Sequence, residues 1–361
     1  MSARSLLGLC YHKAMAGWRR SAGRPASAGA CALGRAAAAV PGLVALLLVG
    51  ALVRPAAGFD LQAHRGGRGL APENTLAAVE RALALGVTTL ELDLVASRDD
   101  VLFLGHDLEL DPAKVRTPDG RWLRPPGPAV RALAAAELEA LDVGRLDPAS
   151  GYARQWPEQR PVDGERMPTL DALARLLEAR GARTIRLNLE TKIRPDRPEL
   201  APAPERFAEL LVAVLRRLDL LDRSTVQSFD WRTLVAVRAI APDVPTACLT
   251  VRQRRFDNLA DGSWTAGLRL AEHGDSVPRL VAAAGCRIWS PFFAELEPLD
   301  IRRAENLGLR VIPWTVNEPA DMRRLVGQGV HGLITDYPDR LRAVLAELGV
   351  PRPPALPRAE R

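Results

Sequence analysis

From Phe59 onward, short apolar runs of strand character alternate with segments whose apolar residues recur at helical spacing. This alternation limits the fold more than any other feature of the chain. The strand-like runs span 61–64, 89–93, 184–192, 225–230, 244–250, 287–291, 310–317 and 332–336. Helical segments fill most of the gaps, at 74–85, 169–179, 204–218, 231–240, 299–307, 319–327 and 340–348, and the first carries Leu76, Val79, Ala82 and Leu83 at helical spacing. An α/β chain with eight such strands has the number that a closed (β/α)8 TIM barrel requires. A ninth run, 101–106, follows the second strand after only a short turn, Ser97-Arg98-Asp99-Asp100, and reads as a hairpin partner folded back outside the barrel. The Pro-, Gly- and Arg-rich stretch 107–168 is read as an insertion over one edge of the barrel mouth, and 252–276 as a second loop on that face. The barrel is assigned to 59–345, and the Pro- and Arg-rich tail 351–361 is expected to be disordered.

The formal charge of +6 would suit a polyanion partner, so the position of the charges matters. Arg4, Lys13, Arg19, Arg20, Arg24, Arg35 and Arg54 lie in residues 1–58, which hold no Asp or Glu, and the rest of the chain carries 42 basic against 43 acidic residues. No basic run with interleaved aromatic residues occurs there, and a nucleic-acid partner is not expected. The first 58 residues read as an export signal: a long basic region, an apolar stretch at 36–53, and the small residues Ala56-Ala57-Gly58, with cleavage expected near Gly58. Pro41, Gly42 and Gly50 interrupt the apolar stretch, which falls short of the roughly 20 apolar residues a membrane span needs. The expected location is periplasmic or extracellular, with membrane contact only through an uncleaved leader. Beyond the leader only Cys248 and Cys286 remain, too few for a cysteine-rich zinc site. They are expected as two buried thiols, with a disulfide the alternative in an oxidising compartment.

In barrels of this kind the chemistry gathers at the C-terminal ends of the strands, and here those ends are polar. The first ends in His64-Arg65-Gly66-Gly67, the second carries Glu91-Leu92-Asp93, the hairpin run ends in His106-Asp107, and the third carries Glu190-Thr191-Lys192. Two residues apart on a strand, Glu91 and Asp93 share one face while Leu90, Leu92 and Leu94 take the other. Unpaired carboxylates inside a barrel are costly, and a divalent cation would satisfy both, with Glu190 as a third oxygen donor. An all-carboxylate set suits Ca²⁺ or Mg²⁺ rather than zinc. Lys114 and Lys192 are the only lysines beyond the leader, and Lys192, on the face of Glu190, suits a point charge on a phosphate. His64 and His106 end their runs where a general acid and a general base would stand. His273 and His331 are read as structural. Arg65 before two glycines suits a close grip on an anion.

The ordered set Ala63-His64-Arg65-Gly66, Pro72-Glu73-Asn74-Thr75, Glu91-Leu92-Asp93 and His106-Asp107 closely resembles the opening signature of the glycerophosphodiester phosphodiesterases. Glu190-Thr191-Lys192, Ser228-Phe229-Asp230, Trp314-Thr315-Val316-Asn317 and Gly332-Leu333-Ile334-Thr335-Asp336 resemble that family's later strand ends. The resemblance implies hydrolysis of a small-molecule glycerophosphodiester to glycerol 3-phosphate and an alcohol. It makes His64 and His106 the acid/base pair, and Glu91, Asp93 and Glu190 the ligands of one divalent cation, Ca²⁺ or Mg²⁺. It also makes Arg65, Lys192 and Trp314 substrate or phosphate contacts. Asp99-Asp100 stands where the family commonly has Asp-Gly, which is expected to change the turn and not the chemistry.

Two other readings remain open from sequence. A phospholipase D-like enzyme acting on lysophospholipids or sphingolipids would keep the barrel and show an apolar rim around Trp122, Trp156 and Trp264. A non-catalytic exported phosphodiester-binding protein would not need both histidines and all three carboxylates.

Overall fold

The computed structural model describes residues 58–356; the expected leader through residue 57, and 357–361, lie outside them. Eleven strands occur among the described residues: β1 (Asp60–His64), β2 (Thr89–Ala96), β3 (Leu102–Leu104), β4 (Arg186–Thr191), β5 (Ser224–Ser228), β6 (Thr246–Thr250), β7 (Arg252–Gln253), β8 (Phe256–Asp257), β9 (Ile288–Pro291), β10 (Arg310–Val311) and β11 (Gly332–Thr335). Eight of them run parallel in the order β10-β9-β6-β5-β4-β2-β1-β11. The two ends of this sheet approach each other through backbone hydrogen bonds from His331 to Val311 (2.9 Å), Ile334 to Pro313 (3.0 Å) and Val316 to Ile334 (2.9 Å). The result is a nearly closed barrel of eight parallel strands with helices outside, as the alternation of runs predicts.

Strand parity divides the side chains. Leu61, Ala63, Leu90, Leu92, Leu94, Leu187 and Leu189 point outward into one apolar layer with Val79 and Leu83 of the helix Leu76–Leu85, Leu173 and Leu177 of Leu170–Ala179, and Phe207 and Leu211 of Pro204–Arg217. The opposite parity fills the interior, in two unlike halves. On β1, β2, β4 and β5 it is polar: Gln62 donates to Asp60, Asn188 donates to Gln62 and Gln227, and Gln227 donates to Glu91. Toward β6, β9, β10 and β11 it is apolar, built from Ala247, Leu249, Ile288, Ile312 and Ile334.

Most departures from expectation have local causes. In the run at 310–317 regular strand covers only Arg310–Val311, although Ile312 and Trp314 still donate to β9 (3.0 and 3.1 Å), while Pro313 has no N–H to give β11. A helix at Val277–Ala283 was not anticipated. The run after β2 pairs antiparallel with it outside the barrel, Leu94 opposite Leu104. The insertion builds its own apolar cluster, Leu110, Val115, Val130, Leu138 and Leu141, against Val95 and Phe103 of the hairpin. Cys248 and Cys286 form a disulfide, Cα atoms 5.9 Å apart, which corrects the expectation of two thiols. They meet because β6 and β9 are neighbours with Ala247 opposite Ile288. In the tail, residues 351–356 have no regular secondary structure, yet Leu356 donates to the Leu83 carbonyl (3.0 Å) and Arg342 holds the carbonyls of Gly86 and Pro353 (2.6 and 2.7 Å). That part of the expected disordered tail is therefore tied to the barrel. Among the described residues no helix is long and apolar enough to cross a membrane.

Candidate active site

Parallel register assembles the polar end of the barrel, because residues paired across neighbouring strands point to the same side. His64 lies beside Glu91, and Asp93 beside Glu190. Among the described residues Glu91, Asp93 and Glu190 offer carboxylate oxygens within 4.8 Å of one another, all buried. Burial, then repulsion from Asp93 and Glu190, pushes the Glu91 carboxyl well above its usual range, and burial raises Glu190 to about 7. Asp93 is held low in spite of burial by Arg65 and Lys192. Its Oδ1 has no hydrogen-bond donor within the barrel, with Lys192 Nζ 3.5 Å away. Three crowded buried carboxyls, one with an unsatisfied oxygen, fit a hard divalent cation and could hold it.

The turn after β1 wraps this cluster. Arg65, Gly66 and Gly67 all have positive φ (52°, 77° and 93°), and a Cβ on Gly66 would stand 2.9 Å from the Ala78 Cβ. The tight turn aims the Arg65 backbone N–H at Glu91 Oε2 (2.9 Å), while Gln227 Nε2 donates to Oε1 (2.6 Å). The Arg65 guanidinium spans Asp93 (Nε to Oδ2, 3.1 Å) and Glu73 (Nη1 to Oε1, 3.0 Å). Asn74, also at positive φ, brackets Asp93 twice: its Nδ2 donates to Oδ2 (2.9 Å), and its Oδ1 accepts from the Asp93 N–H (3.1 Å). Lys192 Nζ lies 2.5 Å from Glu190 Oε1.

Both histidines lean on carboxylates. His64 Nδ1 is 2.6 Å from Asp336 Oδ1, each residue one position past the last β1–β11 pair, Ala63 with Thr335. Arg68 Nε (2.7 Å) and Asn317 Nδ2 (2.7 Å) also donate to Asp336. Against the effect of burial, Arg68 and His64 hold Asp336 far below the usual carboxylate range. An ionised carboxylate only accepts, so His64 carries its proton on Nδ1 and leaves Nε2 free, 3.9 Å from Glu91 Oε2. Burial, only partly offset by Asp336, lowers the His64 imidazole to about 4. His106 follows Gly105, whose N–H bonds the Asp93 carbonyl (3.0 Å), and its Nδ1 meets Asp107 Oδ1 at 2.8 Å. Burial, then the charges of Arg65 and Lys192, pushes the His106 imidazole well below its usual range. His331 accepts the Val311 N–H (3.1 Å) at the other end of the barrel, a structural role.

Trp314 pairs with Phe292, just past β9. It is buried, its Nε1 donates to the Ser290 carbonyl (2.9 Å), and its ring meets Phe229 (5.3 Å) and Phe292 (5.5 Å). Its indole N–H is thereby engaged with the backbone. Phe256 and Trp264 extend this aromatic side (Phe229 to Phe256 5.3 Å, Phe256 to Trp264 5.0 Å). The rim of Trp122, Trp156 and Trp264 that would favour a lipid-tailed substrate does not form as one surface. Trp156 is buried beneath Arg68, and Trp122 stacks with Arg116 in the insertion. Asp336, Asn74, Gln227, Glu73 and Arg68 had no assigned role from sequence. Asp336, Asn74 and Glu73 lie inside recognised motifs, which was the available signal.

The model of the Glycerophosphoryl diester phosphodiesterase family matches residues 64–340. A glycerophosphodiester phosphodiesterase of Bacillus subtilis (strain 168) is 29% identical over 291 residues, covering 78% of this chain and 85% of its own. Among solved structures, a putative glycerophosphoryl diester phosphodiesterase from Silicibacter pomeroyi superposes with a TM-score of 0.73 at 35% identity, over 81% of this chain and 95% of that one. An Oleispira antarctica phosphodiesterase, solved with the product sn-glycerol-3-phosphate, shares the fold with a TM-score of 0.58 at 22% identity, over 80% and 96%.

Proposed function

Because the chain belongs to the glycerophosphoryl diester phosphodiesterase family, and is thereby a phosphoric diester hydrolase, we propose that it cleaves glycerophosphodiesters to glycerol 3-phosphate and an alcohol with a divalent cation, Ca²⁺ or Mg²⁺. The observation that carries this reading is the convergence of two carboxylate-anchored imidazoles, Arg65 and Lys192 on the buried acidic triad. A cation on Glu91, Asp93 and Glu190 would supply positive charge for the developing charge on phosphorus.

The chain's own groups do the rest. Arg65 and Lys192 bind the phosphate oxygens and hold the diester in place. Each histidine is fixed through Nδ1, so each presents Nε2. One Nε2 takes the proton of the attacking hydroxyl as its oxygen bonds to phosphorus. The other, protonated on Nε2 as well beside the anionic diester, enters as the imidazolium and delivers that Nε2 proton to the alkoxide as the P–O bond to the leaving alcohol breaks. When the attacker is a substrate hydroxyl the first product is a cyclic phosphate, which water opens with the two roles exchanged.

The apolar side formed by Phe229, Phe256, Trp264, Phe292 and Trp314 favours a second reading, in which the diester carries an apolar tail as in a lysophospholipid. Cation-dependent release of glycerol 3-phosphate from glycerophosphocholine tests the first reading. Preferential cleavage of lysophosphatidylcholine offered in the same assay would select the second. Export is proposed as well, supported by the basic and apolar leader and by the buried disulfide.

A further inference from the structure

Of the two lysines beyond the leader, the phosphate site uses Lys192 and leaves Lys114 without a role. Lys114 comes from the insertion, yet its Nζ reaches the rim of the active site, 2.6 Å from Asp107 Oδ2 and 2.9 Å from Glu73 Oε1. Its side chain is 11% exposed, and the ammonium lies 4.6 Å from the centre of the Tyr152 ring. Tyr152, also from the insertion, donates its hydroxyl to Glu73 Oε2.

Both acids that Lys114 touches have a second partner in the machinery. Asp107 holds His106 Nδ1 (2.8 Å), and Glu73 holds Arg65 Nη1 (3.0 Å). The contacts make one unbroken line, His106–Asp107–Lys114–Glu73–Arg65, from an acid/base imidazole to a phosphate-binding guanidinium. A charge cluster is an inefficient way to fasten an insertion to a barrel, because desolvating the ions offsets most of their attraction and an apolar contact would serve. The insertion already has such a contact in its own apolar cluster against the hairpin.

Resting on the function proposed above, we propose that Lys114, braced by Tyr152, is a positioning residue by which the insertion sets the placement of His106 and Arg65 together. Without its ammonium two half-buried carboxylates face each other with no cation between them, and the groups they hold are displaced in concert. Lys114 touches none of the three triad carboxylates and reaches them only through Arg65, so the loss falls on turnover more than on cation binding.

The test compares K114M, K114R and Y152F with the wild-type full-length protein in three measurements: kcat and KM on glycerophosphocholine, Ca²⁺ and Mg²⁺ affinity by calorimetry, and the imidazole ¹H–¹⁵N resonance of His106. K114M is expected to lower kcat about 100-fold, the scale of a misplaced catalytic group, with cation affinity within about threefold of wild type. Its His106 resonance should move while those of His273 and His331 stay in place. K114R, which keeps the charge, should recover most of the turnover, and Y152F should fall between. Wild-type turnover in K114M with an unmoved His106 resonance would overturn the proposal. So would equal loss in K114R and K114M accompanied by lost cation affinity. If K114M does not fold, K114R and Y152F decide by the same measures. A wild-type protein that cleaves no glycerophosphodiester would sink the proposed function instead, and the His106 resonance, which needs no substrate, would still decide the positioning role.

Discussion

Asp336 Oδ1 sits 2.6 Å from His64 Nδ1, joining the last strand of the barrel to the first. Both residues stand one position past the last β1–β11 pair, so closing the barrel is what brings the imidazole and its carboxylate together. Asp336→Asn removes the obligate acceptor and lets the imidazole take the other tautomer. We expect kcat to fall about 10²- to 10⁴-fold with KM little changed, read from steady-state kinetics on glycerophosphocholine. Equal losses in kcat/KM and cation affinity would mean that Asp336 only maintains the site's shape.

Cation binding should release protons. Glu91 is pushed well above its usual range by burial and its acidic neighbours, and Glu190 to about 7, so near neutral pH the cation-free triad retains protons that a bound cation must displace. The sign follows: affinity for Ca²⁺ or Mg²⁺ rises as pH rises through these values. Calorimetry in buffers of different ionisation enthalpy should give heats that differ by the proton released, and an affinity independent of pH between about 6 and 8 would contradict this.

The Cys248–Cys286 bridge closes a separation of 38 residues, and chain entropy assigns such a loop roughly 4 kcal/mol. Both sulfurs belong to the layer between strands and helices, away from the interior where the triad lies. Reduction, or the C248A/C286A double variant, should therefore lower the denaturant midpoint without changing kcat at moderate temperature. An unchanged midpoint would show that the pair adds nothing to stability.

The barrel was legible in the sequence because its strands obey a strict two-residue parity. Leu90, Leu92 and Leu94 face the helices while Glu91 and Asp93 face the interior, and no other arrangement of those five residues suits a buried strand. The same parity exposed the carboxylate cluster. It overstated the run at 310–317, where regular strand ends at Val311 although Ile312 and Trp314 keep the parity and still bond the chain at β9. The supporting groups were hidden for a different reason. Gln227 meets Glu91 across 136 residues and Asp336 meets His64 across 272, and no spacing rule connects such pairs. The insertion was the least legible part. It is ordered by isolated bridges such as Arg116 with Asp142 and by ion pairs such as Lys114 with Asp107, which leave no periodic trace.

The most direct test of the whole account is glycerol 3-phosphate release from glycerophosphocholine by the purified protein, with and without EDTA, beside His64→Ala and Glu91→Ala. The account predicts turnover that EDTA abolishes and Ca²⁺ or Mg²⁺ restores, reduced about 10³-fold or more in both variants. Turnover that survives EDTA, or a variant that keeps the wild-type rate, would contradict it.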